Sequence, residues 1–172
     1  MIAILSVNSP MNTRIIALFL LLSLGACNSN EDAPDVSGIK IQLTQQHFEH
    51  DFFAIDTNQL DQSILALDKK YPGFTTVFLS NILALMPASE SSDLKSFYSA
   101  YLPLYKQSTS IFKEQKKQAQ KIEQGFQYLK HYFPSYQLPN KLITFIGPIN
   151  SFGSILTEDA IAIGLQLFMG KD

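Results

Sequence analysis

A nearly continuous apolar run close to the N-terminus, residues 15–25, decides which part of this 172-residue chain is available to fold. The run follows Arg14, the only arginine, and ends in small residues before Cys27. A positive charge, about a dozen mainly apolar residues and a small-residue break are the parts of a secretory signal, whereas a stable membrane span needs about 20 residues. The sequence therefore predicts that residues 1–26 are a signal peptide and that residues 27–172 form the mature chain.

The choice of start codon, Met1 or Met11, decides whether the signal peptide begins with a charged segment. Residues 1–10 contain no charged side chain, although a signal peptide normally begins with a positive one. Met11 is followed at once by Arg14 and the apolar run. We therefore expect translation to start at Met11.

The residues before the cleavage site form a more specific motif than the apolar run. They match the bacterial lipobox, in which small residues admit a diacylglyceryl-modified cysteine to the signal peptidase: Leu24, Gly25, Ala26 and Cys27. The alternative is an apolar N-terminal helix with a buried free cysteine. Each buried methylene of an acyl chain contributes about 0.8 kcal/mol, so several chains on Cys27 would hold the protein on a membrane. We predict lipidation at Cys27 and a membrane partner through that anchor.

Residues 27–36 would join the lipidated cysteine to the folded domain. They are polar and acidic and contain Pro34, a composition typical of a flexible tether. Glu31 and Asp32 lie close to the anchor and either direct the protein towards the cell surface or form a solvated linker. We expect a location in the cell envelope, with the outer membrane favoured over the inner membrane.

The charge and cysteine content exclude several classes of protein. The net charge is −2 and 16% of the residues are charged, which excludes a basic nucleic-acid binder. The lysines between residues 113 and 121 are accompanied by Glu114 and Glu123, as on a solvated helix face. The single cysteine leaves no disulfide to form. We therefore expect no nucleic-acid partner and no disulfide framework.

The spacing of apolar residues beyond residue 37 predicts an α+β domain. Ile39, Ile41 and Leu43 alternate with polar residues, which indicates a short strand over residues 38–43. Apolar residues three and four apart predict helices over residues 57–70, over 74–85, from 94 to an interruption near Pro103, and over 109–132. The pattern of the first helix places Leu65 on its buried side. Buried strands follow at residues 142–146 and 161–167. The prediction is an N-terminal strand, several helices and then C-terminal strands.

The end of the chain gives a further expectation about the domain. The last predicted strand runs almost to Asp172, with neither a closing helix nor a polar tail after it. We therefore expect that the domain over residues 37–172 is incomplete and continues beyond the C-terminus.

The three histidines are the first candidates for chemistry. His47 and His50 form the only cluster with two imidazoles, and His131 ends the long predicted helix. The spacing is not that of the HExxH zinc motif. Histidines in an aromatic segment are more often partly buried packing residues, so we predict no metal site.

Acidic pairs and nucleophile motifs provide no candidate catalytic residue. Asp51 with Asp56, and Glu158 with Asp159, are spaced as acids usually are in caps and turns. The sequence contains neither a GxSxG nucleophile elbow nor a phosphate-binding glycine loop. We predict no catalytic residue and no cofactor, and therefore no enzymatic activity.

Aromatic residues are numerous and allow two interpretations. At helical spacing they favour an ordinary core, although tyrosines could also line a groove for a peptide or a glycan. The residues concerned are Phe52, Phe53, Tyr98, Tyr101, Tyr105, Phe126, Tyr128, Tyr132, Phe133 and Tyr136.

Four segments together resemble the gliding-motility-associated lipoproteins of the GldB type. The generic one is the lipobox that ends at Cys27. The others are Val36–Ile41 with His47–Asp56, then Gly125–Pro134, then Ala162–Asp172, of which the last two are the more specific. The resemblance implies an anchored accessory protein needed for gliding, with protein partners in the envelope and a chain that continues past Asp172.

The resemblance also brings a departure and an alternative. His47 stands where the family is expected to carry an arginine, which weakens any role tied to a charge at that position. The family is distantly similar to zinc-peptidase-like proteins, whose metal helix would follow Asp172. Three functions stay open: a non-catalytic interaction protein, which is preferred, a zinc-peptidase-like enzyme, and a glycan- or peptide-binding lipoprotein.

Overall fold

The computed structural model describes residues 33–112 and 116–170. The predictions for the signal peptide, the start at Met11, the lipobox and Cys27 lie outside these residues. The chain divides into two units, of which the second begins at Val36 and contains all the elements described below. Among the helices described here, none combines the length and the apolar character that a membrane crossing requires.

The second unit is an α+β domain with an N-terminal strand, as the sequence predicts. The first half of the domain contains β1 (Thr44–His47), α1 (Phe48–Phe52), α2 (Leu60–Lys70), α3 (Phe74–Val77), a π-helical turn (Phe78–Ile82) and α4 (Glu90–Ile111). The second half contains α5 (Lys116–Tyr132), β2 (Lys141–Phe145), β3 (Ser154–Leu156), β4 (Ala160–Gly164) and a 3-10 turn (Leu165–Leu167).

The four strands form one mixed sheet in the order β1-β2-β4-β3. β1, β2 and β4 are parallel, and β3 pairs antiparallel with β4. The register places His47, the last residue of β1, opposite Thr144 of the inner strand β2. Successive side chains of a strand point to opposite faces. Ile143 and Phe145 therefore face one way, and Leu142 and Thr144 face the other.

The first face of the sheet carries the main core, which is built largely from phenylalanine rings. Phe48 and Phe52 lie four residues apart on α1 and so share one side of that helix. The ring of Phe78 lies 4.7 Å from that of Phe48, 5.0 Å from that of Phe52 and 6.2 Å from that of Phe145. Phe78 thus joins the π-helical turn to α1 and to the sheet.

The opposite face of the sheet is covered by α5. Ala119 of this helix is buried against Leu43 and Leu142, with Ile122 and Phe126 packed around them. The sheet therefore lies between two helical layers, with α5 on one face and the other helices contributing to the core on the other.

The position of the first strand differs from the prediction over residues 38–43. β1 begins at Thr44, because the residues before it bond to α5 rather than to a strand. Gln127 Nε2 donates to the Ile39 carbonyl at 2.7 Å, and the Leu43 N–H donates to Glu123 Oε1 at 2.9 Å. The alternating pattern marked a segment attached to a helix, with Leu43 buried beneath it.

The helix boundaries also differ from the prediction. Pro103 lies inside α4, which runs unbroken because core side chains on both sides of it hold the helix in place. Residues 109–111 belong to α4, so the long predicted helix is confined to α5. The helix predicted over residues 74–85 changes to π geometry after one turn. On α2, Leu65 is exposed, although the pattern placed it on the buried side.

The end of the sheet is shorter than predicted because glycine and glutamine shape it. β4 ends at Gly164, where an added Cβ would lie 2.7 Å from the Phe152 carbonyl oxygen. The buried Gln166 then accepts a 3.0 Å hydrogen bond from the Gly147 N–H. β3 was not predicted, since three residues are too few for a periodic signal.

The phenylalanine core makes a first prediction. Phe78→Ala should lower the free energy of unfolding by about 3–5 kcal/mol, because it removes a fully buried ring that contacts both α1 and β2. Leu65→Ala, which truncates a side chain that is 61% exposed, is the control and should change stability by less than about 0.5 kcal/mol. Urea unfolding of the full chain, followed by circular dichroism, measures both. Equal effects would show that the rings do not form the main core.

Candidate functional site

A compact polar group lies where β1 turns directly into α1. His47 is the last residue of β1, and Glu49 and His50 belong to the first turn of α1. Glu49 Oε1 lies 3.4 Å from His47 Nδ1 and 3.7 Å from His50 Nε2. The two imidazole rings are stacked with their centroids 5.0 Å apart. We call these three residues the His47–Glu49–His50 cluster.

The three side chains of the cluster differ sharply in burial. The Glu49 side chain is 1% exposed, whereas those of His47 and His50 are 38% and 53% exposed. A carboxylate is rarely buried without partners, because removal from water is costly for a charged group. The cluster is therefore a buried carboxylate with two imidazoles between it and solvent.

Thr144 supports the carboxylate from the sheet. Its hydroxyl donates to Glu49 Oε1 at 3.0 Å, and its oxygen lies 3.1 Å from His47 Nδ1. The parallel register of β1 and β2 produces this contact, because it sets Thr144 opposite His47. Glu49 Oε2, in contrast, has no hydrogen-bond partner among the residues that the structure describes.

The charge of Glu49 affects the neighbouring imidazole. A hydrogen bond with Glu49 raises the pKa of His47, burial opposes this effect, and the negative charges of Glu49 and Asp51 add to it. His47 therefore holds a proton at higher pH than a histidine in water does.

A second polar contact ties α1 to the end of α2. Lys70 Nζ lies 2.7 Å from Asp51 Oδ2, and the Tyr71 hydroxyl donates to Asp51 and, at 3.3 Å, to the His47 carbonyl. Burial would raise the pKa of Asp51, but the hydrogen bonds from Lys70 and Tyr71 and the Lys70 charge lower it below its usual range. Burial, followed by the hydrogen bond to Asp51, raises the pKa of Tyr71. Asp51 thus stays ionised, and Tyr71 stays protonated as a donor.

An apolar cavity of about 350 Å³ lies on the α5 side of the sheet. Thr144, the residue that holds Glu49, is one of its lining residues. The other lining residues are Phe112, Gln118, Ile122, Leu142, Ile163, Leu165 and Phe168. The volume is within the range of small-molecule pockets, and the walls are mainly hydrophobic.

The structure brings together only some of the residues that the sequence singled out. His47 and His50 are neighbours, whereas His131 lies at the end of α5 with its ring 5.1 Å from that of Tyr132. Asp56 accepts a hydrogen bond from the Asn58 N–H at the turn before α2. Such turn contacts agree with the structural interpretation of the acids.

The second acidic pair has a similar role. Asp159 Oδ2 lies 2.5 Å from Lys141 Nζ, and the Asp159 carbonyl accepts from the Lys141 N–H at 3.1 Å. This contact joins the residue before β4 to the start of β2. It fixes the register of the two strands.

Two residues of the cluster region were missed in the sequence. Glu49 lies between the two histidines in the sequence, but periodicity gives no sign that it is buried. Thr144 is the one polar residue in the predicted strand over 142–146, and a lone hydroxyl in a buried strand needs a hydrogen-bond partner. The lone hydroxyl of Thr144 was therefore the sequence feature that could have identified this residue.

Most of the aromatic residues are core, as their spacing favoured. Phe52 and Phe53 are buried, and Tyr98, Tyr101 and Tyr105 pack against the same cluster. Phe126, on α5, packs against Leu43 and Leu142. Tyr128 is half-buried outside both core clusters. Three rings at and after the end of α5 are exposed: Tyr132, Phe133 and Tyr136.

A set of exposed apolar side chains lies at the β3 edge of the domain. They come from the loop before β3, from β3 itself and from the turn after β4. We call them the β3 patch: Ile149, Phe152, Leu156, Leu167 and Phe168. Within the described part of the chain, β3 pairs with β4 alone and is an edge strand.

The cluster makes a second prediction. Thr144→Val keeps the shape of the side chain but removes the hydroxyl that holds Glu49, so the free energy of unfolding should fall by about 1–3 kcal/mol. Thr109→Val is the control, because the Thr109 hydroxyl bonds the Lys106 carbonyl on an exposed helix face. Urea unfolding measures both, and a Thr144→Val variant as stable as the parent would refute the supporting role.

Comparison with known proteins places the chain in a family. A family model described as gliding motility protein GldB matches residues 29–172, which is most of the chain. No curated protein and no solved structure matches it. The match includes the region of the His47–Glu49–His50 cluster and the β3 patch, and it begins two residues after Cys27. The chain therefore belongs to the GldB family of gliding motility lipoproteins.

Proposed function

We propose that this protein is an accessory component of bacterial gliding motility that is anchored in the cell envelope by lipid on Cys27 and acts by contacting other envelope proteins rather than by catalysis. The observation that carries the proposal is the family match over residues 29–172. The match covers residues 29–36 of the predicted tether and every helix and strand that the structure describes. The chain is thus related to gliding proteins over nearly all of the part that is expected to remain after cleavage.

The lipobox supports the anchoring part of the proposal. Leu24, Gly25 and Ala26 supply the small and aliphatic residues that precede a lipidated cysteine, and Cys27 is the only cysteine. Several acyl chains on one residue bind a bilayer durably, whereas a single chain binds only marginally. We infer that the domain is held at the membrane, and we favour the outer membrane over the inner.

The β3 patch supports the interaction part of the proposal. Exposed apolar groups gathered near an unpaired strand edge are typical of surfaces that bind other proteins. Phe152 and Leu156 lie respectively before β3 and at its end, so both are close to that edge. We infer that an envelope protein with an apolar segment docks at this edge.

The anchor gives a third prediction. Cys27→Ala removes the thiol that would carry the lipid, so labelling with radioactive palmitate should be lost and the protein should leave the membrane fraction. Ser23→Ala, which changes a residue of the apolar run and keeps the cysteine, is the control and should be labelled as the parent is. Unchanged labelling of Cys27→Ala would refute the lipobox assignment.

The β3 patch gives a fourth prediction. In a strain that lacks the gene, the double variant Phe152→Asp and Leu156→Asp should fail to restore colony spreading, because two charges would block apolar docking. Leu65→Asp is the matched control, since Leu65 is equally exposed but lies on α2. It should restore spreading.

Three outcomes of this experiment would contradict parts of the proposal. Normal spreading of the strain that lacks the gene would remove the gliding role. Full rescue by the double variant would remove the β3 patch as the docking surface while leaving the gliding role in place. Equal failure of Leu65→Asp at normal protein abundance would show that the defect is not specific to the patch.

A further inference from the structure

We propose that the His47–Glu49–His50 cluster binds a divalent transition metal ion of the zinc type. Each residue offers one ligand atom, and the three atoms lie within 4.8 Å of one another. Two imidazoles and one carboxylate are a donor set that suits zinc and its neighbours rather than magnesium or calcium, which prefer oxygen ligands. The proposal goes beyond the gliding role and does not depend on it. It also departs from the prediction of no metal made from the sequence.

Two of the three separations between ligand atoms, those from the carboxylate to each imidazole, suit a shared metal ion. Zinc bonds of about 2.0–2.2 Å in tetrahedral geometry place two ligand atoms about 3.3–3.6 Å apart. Glu49 Oε1 lies 3.4 Å from His47 Nδ1 and 3.7 Å from His50 Nε2. A charge-assisted hydrogen bond would bring such atoms to about 2.7–2.9 Å. The contact between His47 and Glu49 is therefore long for a hydrogen bond, and both separations lie within about 0.1 Å of the range around a common cation.

Burial of the carboxylate is an independent observation that points to a cation. Glu49 is 1% exposed, and its Oε2 has no hydrogen-bond partner within residues 33–112 and 116–170. A buried polar atom without a partner carries the full cost of its removal from water. Oε2 belongs to the carboxylate whose Oε1 lies nearest the two imidazoles. A metal ion bound at Oε1 would neutralise the charge of the carboxylate and so reduce the cost of its burial, without giving Oε2 a hydrogen bond.

The surroundings supply the support that a metal ligand needs. The Thr144 hydroxyl donates to Glu49 Oε1 at 3.0 Å and so fixes the direction of the carboxylate. Outer contacts of this kind orient ligands and tune the affinity of a site. The Tyr105 ring lies edge-on to His50, with the ring centroids 6.0 Å apart, and restricts the position of that imidazole.

The exposure of the two histidines determines how the ion would be reached. His47 and His50 are about two-fifths and one-half exposed, so the ion would enter from solvent and bind the buried carboxylate last. Three protein ligands leave a fourth tetrahedral position, which water would fill.

The test uses the full chain, purified in detergent without a polyhistidine tag, and measures binding of Zn²⁺ by calorimetry. One equivalent should bind to the parent protein, and Glu49→Gln and His50→Ala should each weaken binding by about tenfold or more. His131→Ala is the matched control, because it removes a histidine outside the cluster, and it should leave binding unchanged. Mg²⁺ should give no comparable heat. Added Zn²⁺ should raise the melting temperature of the parent but not of His50→Ala.

Several results would overturn the proposal. These are the absence of Zn²⁺ binding to the parent, unchanged binding by His50→Ala, or equal losses in His50→Ala and His131→Ala. If Glu49→Gln does not fold, His50→Ala decides, since its side chain is largely exposed and its loss leaves the core intact. Replacement of Zn²⁺ by Co²⁺ adds a spectroscopic check, because a tetrahedral site gives intense visible absorption that His50→Ala should lose.

Discussion

The parallel pairing of β1 with β2 is the constraint on which the domain depends. Thr44 pairs with Lys141 and His47 with Thr144, so four residues near the start of the domain are joined to four near its end. The intervening chain contains all five α-helices. Closing so long a loop is entropically unfavourable, and the ordered helices on both faces of the sheet offset that penalty by burying apolar surface. The same pairing sets Thr144 beside Glu49, so the fold and the His47–Glu49–His50 cluster have a common origin.

The strands β1, which ends in the cluster, and β3 are at opposite edges of the sheet, although Phe168 of the β3 patch and Thr144 beside the cluster line the same cavity. β1 and β3 are the outer strands of the order β1-β2-β4-β3. At about 4.8 Å per strand they are about 14 Å apart across the sheet. A partner that contacts β3 alone would therefore leave the imidazoles of His47 and His50 open to solvent. The match to the GldB family includes the residues at both edges, so it does not distinguish the role of one edge from that of the other.

The sequence predicted best those parts of the domain whose pattern reflects local packing. The α+β class, α2, β2 and the buried side of α5 follow from regular spacing of residues such as Leu67, Ile143 and Ala119. The position of β1 did not follow, because Leu43 alternates with polar residues yet bonds to a helix. The predicted interruption at Pro103 is absent from α4, because tertiary packing holds the helix together and a rule based on local sequence does not take that packing into account. The burial of Glu49 depends on a strand nearly one hundred residues later, which no local pattern reports.

The hydrogen bonds between residues 39–43 and α5 have a mechanical consequence. If Cys27 is fixed in a membrane, any pull on the domain reaches it through this segment. The load would act first on the bonds from Gln127 to Ile39 and from Leu43 to Glu123, before it reached the paired strands. Side-chain bonds to a helix can break and re-form singly, whereas adjacent strands separate cooperatively. Under such a pull, residues 39–43 would therefore detach from α5 before β1 separates from β2, and the length that they release would delay the loading of the sheet.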